Sequence, residues 1–160
     1  MGQYYIFTNT TKREFIHPHT IGVGLKHMEI ASSSAMMYAL SLLIVQSDDL
    51  GGGDWGALWP AARRDHSIVG SWAGDNITMI GDYDSSNLYC DARDTYRDVS
   101  MDLFKAMCRD HRWNSLLKEG VKYRLDPDNG ICDSAERKVY EDAFSQTSFY
   151  VHARRAAIGS

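Results

Sequence analysis

Little in this chain could staple it, tether it or hold it against nucleic acid. It has three cysteines, Cys90, Cys108 and Cys132, far apart and odd in number, and no CxxC pair. Small secreted domains ordinarily carry a paired set, so these are expected as reduced thiols that serve packing. No apolar run approaches the roughly 20 residues that cross a bilayer. The longest, from Ala35 to Val45, stops well short, and no membrane partner is expected. The start lacks a charged region followed by an apolar run, so no signal peptide is expected. Ile6 stands where a myristoylation motif wants Ser or Thr. A cytoplasmic location follows as the expectation. Lys and Arg number 17 against 21 Asp and Glu, for a net charge of −4. A surface that tracks phosphates needs a basic excess, so DNA is not an expected partner.

What is present is ordinary globular material. The 160 residues are 44% hydrophobic and 24% charged, enough to bury a core without staples. The pattern predicts one α+β domain over residues 1–160, with an ordered core of about 3–155. A small, mainly antiparallel sheet should pack on a buried central helix, with further helices toward the C-terminus. Tyr4–Phe7 and Glu14–Ile16 flank the polar run 8–12 as a hairpin would, and Pro18 ends the second strand. His19–Gly24 reads as loop. Ser32-Ser33-Ser34 offers a cap to a helix from Ala35 to Val45 that is apolar on nearly every side. Residues 48–64, with Gly51-Gly52-Gly53 and Pro60, read as a long loop. Ile68-Val69 and Ile77–Tyr83 are strand candidates, and alternation puts Ile77 and Met79 opposite Thr78 and Ile80. Ser100 can cap a helix with Leu103, Phe104, Met107 and Cys108 on one stripe. Val121–Leu125 is a short strand, Asp133 with Glu136 opens a last helix carrying Val139 and Tyr140, and Phe149–Val151 closes the fold.

No complete catalytic motif appears: GxxxxGK[ST], HExxH and GxSxG are all missing. Three Gly-Asp pairs recur, Gly53-Asp54, Gly74-Asp75 and Gly81-Asp82. Glycine lets a backbone approach a ligand, and the adjacent carboxylate accepts from its donors. Gly-Asp is equally ordinary turn chemistry. Trp55 and Trp59 lie on the long loop and Trp72 near the second Gly-Asp; such rings either stack on a partner or roof the core. His17-Pro18-His19, with Lys26 and His27 downstream, could supply a base or ligands. The alternative is a proline-terminated strand with exposed imidazoles. Residues 82–87 fail as a calcium loop because Asn87 stands where glycine is needed. No metal or cofactor is expected.

Met1-Gly2-Gln3-Tyr4-Tyr5, His17-Pro18, Gly24-Leu25-Lys26, Gly51–Asp54, Gly70–Asp75 and Gly81-Asp82-Tyr83 together resemble a family of small uncharacterised bacterial and bacteriophage proteins. The resemblance covers residues 1–98 and brings no activity. It implies a phage-borne setting, where small proteins bind host components or sequester nucleotides. The expected function is therefore a non-enzymatic binding protein for a polar, nucleotide-like ligand or a host protein. Its expected ligand contacts are His17, Lys26, Asp54, Trp55, Trp72, Asp75 and Asp82. The competing expectation is a hydrolase or transferase with His17 or His19 as base and Asp75 or Asp82 orienting it or holding a metal.

Overall fold

Among the described residues a four-stranded sheet and five α-helices build an α+β fold. The computed structural model describes residues 2–46, 68–108 and 134–145. The predicted strand at 121–125, the long loop at 48–64 and the closing strand at 149–151 lie outside the described residues. The hairpin forms as expected, from β1 (Tyr5–Asn9) and β2 (Glu14–Ile16), with Phe7 opposite Ile16. A third strand, β3 (Ile77–Gly81), lies antiparallel to β1 on its other side. The order is completed by the two-residue β4 (Arg97–Asp98), parallel to β2.

Helices cover both faces. On one side pack α2 (Ser34–Ile44), α4 (Ser100–Cys108) and α5 (Ser134–Ser145). Phe7 and Ile16 meet them, with Ile77 and Met79 packed alongside. On the other side α3 (Leu88–Thr95) seals a smaller cluster of Ile6, Phe15, Ile80 and Ala92. Neighbouring strand residues therefore feed opposite cores, as period-2 pleating requires. Both faces of every long strand are apolar for that reason.

Several local expectations need correction. His19–Gly24 is not plain loop: Pro18–Ile21 forms a 3-10 turn, closed by Gly22 at φ 77, and a short helix α1 (His27–Ala31) follows. In α2, Ser33 caps as expected, accepting from the Met36 N–H at 3.1 Å. Yet α2 is not buried all round, since Met37 and Ile44 are 64% and 48% exposed. Its solvent-side apolar residues disguise a helix with one wet face. Ile68-Val69 is a run of turns rather than a strand, although both side chains are buried. The α3 helix is not expected from the sequence, because its residues are mostly polar or charged and offer few apolar positions to read. Ser100 is the first residue of α4, not its cap; its hydroxyl bonds Asp98 and accepts from the His17 N–H at 2.8 Å. Val139 is exposed on α5, while Tyr140 is buried and donates to Thr20 O at 2.8 Å.

Candidate functional site

Two of the expected contacts, Asp54 and Trp55, lie outside the described residues. The remaining five are placed, but not together. Trp72 is fully buried in the main core, and its indole N–H donates to Glu14 Oε2 at 2.7 Å. Both the ring and its one polar atom are committed internally. As a ligand contact Trp72 is thus corrected to a core residue, because a loop tryptophan without solvent access cannot stack on anything. Glu14, itself buried, also takes Arg97 through Nε at 3.2 Å and a terminal nitrogen at 2.7 Å. That hydrogen bond, ahead of the opposing effect of burial, raises the Arg97 pKa further.

Asp75 clamps the hairpin to the turn before β3. Its Oδ2 accepts from Asn9 Nδ2 at 2.7 Å and pairs with Lys12 Nζ at 2.9 Å. Lys12 also reaches the Ser71 carbonyl, and Thr11 Oγ1 accepts from the Asn76 N–H at 3.0 Å. The Asn9 and Lys12 hydrogen bonds hold the Asp75 carboxyl below its ordinary range, against a smaller push from burial. Asp82 does the same work at the far end of β3, where its Oδ1 accepts from the Tyr4 N–H at 3.0 Å.

The sheet register keeps these aspartates apart. Seven residues of extended chain at about 3.3 Å each put roughly 23 Å between them. His17 follows β2, whose Ile16 pairs with Phe7, so it sits toward the Asp82 end. There β1 still lies between them, about 10 Å across two strand spacings. A hydrogen-bonded base and orienting carboxylate need about 3 Å. His17 and Asp75 accordingly share no site. His17 and His19 stack edge to face at 5.4 Å. Among the described residues no group of three or more His, Cys, Asp or Glu is placed to hold a metal. Lys26 is exposed and precedes α1, with its N–H donating to Glu29 Oε2 at 3.0 Å.

The structure instead opens a cleft of about 580 Å³ where α1 turns into α2. Ser32, Ser33, Ser34 and Ser41 supply hydroxyls, and Ala31, Met37 and Tyr38 an apolar wall. None of these residues carries a charge. The Ser32 and Ser41 hydroxyls donate to the carbonyls of Met28 and Tyr38, each at 2.7 Å, leaving their oxygens as acceptors. The sequence signal was the triple serine, legible only as a helix cap. Nothing in it foretold that α1 would form and end at the cleft with Ala31.

Comparison of the chain with protein-family models, with curated proteins and with solved structures finds no match. Among the described residues no helix is long and apolar enough to cross a membrane.

The clamp around Asp75 makes a prediction. A carboxylate whose pKa is lowered by folding adds stability above its unfolded pKa, and that stability is lost as pH falls through the folded value. Asp75→Asn should therefore melt below the parent at pH 7, and the gap should narrow as the pH falls below about 4. Thermal melts across pH 3–7 measure this. A gap that is constant with pH, or none at all, would show that the clamp does not stabilise the fold.

Proposed function

We propose that this chain is a non-enzymatic binding protein whose ligand occupies the cleft between α1 and α2. The observation that carries this reading is the cleft itself: its volume falls within the roughly 300–1,000 Å³ of small-molecule sites. Its wall combines hydroxyls with an exposed thioether and an aromatic ring, and has no fixed charge. Such a surface suits a compound with an apolar body and a polar edge, nucleosides included, held without an ion pair. Met37 is adaptable packing material for such a ligand. The phage-borne, cytoplasmic setting implied by the resemblance belongs to the same proposal, with the ligand drawn from the host. The hydrolase reading gains no support from the placement of His17 and the aspartates.

A thermal-shift screen of nucleosides, nucleotides and polar metabolites tests this. A hit present at 100 times its Kd should stabilise the fold by about 2.7 kcal/mol. Ser41 is exposed on α2 and lines the cleft, so Ser41→Trp should fill the space and leave the core alone. The variant is expected to weaken the hit by more than about tenfold, since a bulky side chain replaces the ligand's contacts. Undiminished binding by Ser41→Trp would place the site elsewhere. A screen with no shift at all would remove the small-ligand reading.

A further inference from the structure

β3 is an edge strand among the described residues, and its outer side is open. The ladder with β1 shows which groups face out. Thr10 N donates to Asn76 O and Asp82 N to Tyr4 O, both at 3.0 Å, so the even-numbered residues of β3 bond β1. The N–H and C=O of Ile77 and Met79 then point away from the sheet, and none of the described residues pairs with them. Proteins blunt such edges with Lys, Pro, bulges or covering elements. The β3 sequence Ile-Thr-Met-Ile-Gly has no Lys or Pro, and it pairs with β1 without a bulge. The opposite edge differs: β4 is two charged residues long, with both side chains exposed.

We propose that β3 pairs antiparallel with β3 of a second copy of this chain, across a two-fold axis at Thr78, to form a continuous eight-stranded sheet. An antiparallel edge is self-complementary under two-fold symmetry. In this register Ile77 faces Met79 of the second copy twice over, and the pairs exchange four main-chain hydrogen bonds. Both side chains are only half-buried in one copy, beside the main core, so pairing covers apolar surface as well. Thr78, exposed on the other face, meets Thr78 of the second copy, a favourable cross-strand pair. Charge permits the register too. Asp75 falls opposite Gly81 and Asp82 opposite Gly74, so no two carboxylates oppose each other.

The test uses the full chain. Sedimentation velocity of the parent should give a species of twice 18.1 kDa. Thr78→Lys puts like charges directly opposite at the axis and should weaken association by about tenfold or more. Thr78→Cys is the second variant. Opposed residues at a non-hydrogen-bonded position have Cα atoms about 4.5 Å apart, within reach of a disulfide. Mild oxidation should therefore convert Thr78→Cys to a covalent dimer far faster than the parent, whose exposed Cys90 sets the background. A parent that stays monomeric at high concentration overturns the proposal and leaves the edge to a strand from another protein. So does a dimer that Thr78→Lys does not weaken and Thr78→Cys does not cross-link. If Thr78→Lys fails to fold, the cross-linking result alone decides.

Discussion

Trp72→Ala is expected to cost about 3–5 kcal/mol, the range for truncating a buried large aromatic. Domains are stable by only about 5–15 kcal/mol, so this variant should melt roughly 6–20 °C lower for a chain of this length. Two effects add. The fully buried ring leaves a cavity in the main core, and Glu14 Oε2 loses the indole donor it holds at 2.7 Å. Trp72→Phe separates them, because it keeps most of the ring but abandons the acceptor. Its cost should be about 1–3 kcal/mol, the penalty for an unmet buried polar group. Urea unfolding of the three proteins measures both. A Trp72→Ala protein within about 1 kcal/mol of the parent would put the ring back on the surface as a ligand contact.

Gly70→Ala should be the second large loss. Gly70 sits at φ +72, and a Cβ there would lie 2.8 Å from the Val45 carbonyl oxygen. The left-handed conformation alone costs an L-residue about 1–2 kcal/mol. The clash adds to it, because the obstacle is backbone at the end of α2. That backbone is fixed: Gly70 N donates to Leu42 O at 2.7 Å and Trp72 N to Leu43 O at 2.9 Å. Gly74→Ala is the matched control, at φ +77 with nothing within 4 Å of the added carbon. Overpacking typically costs about 1–3 kcal/mol, so the two variants should differ by about that amount. Equal losses would mean that the Val45 contact relaxes at no cost.

These two residues show why the Gly70–Asp75 segment misleads as a sequence. Gly-Ser-Trp-Ala-Gly-Asp reads like a ligand loop because glycine, tryptophan and aspartate are the residues of such loops. Here they are used inward: the glycine for a close approach, the tryptophan for the core, the aspartate to hold Asn9 and Lys12. Residue type alone does not say which side of a turn faces solvent.

The sequence by itself determined the α+β class, the hairpin, the Ser33 cap of α2 and the core stripe of α4. Each depends on short-range physics, namely period-2 or period-3.6 burial, a hydroxyl within reach of an N–H, or a proline that cannot donate. Tertiary structure alone decided the partners of the polar residues. Glu14 and Arg97 are 83 positions apart and Asn9 and Asp75 66 apart, and no local rule relates them. It also decided the cleft and the open edge of β3. The cleft depends on how the end of α1 meets the start of α2, and an edge exists only once the strand order β3-β1-β2-β4 is known. Local propensity encodes elements, whereas sites arise where elements distant in sequence are brought side by side.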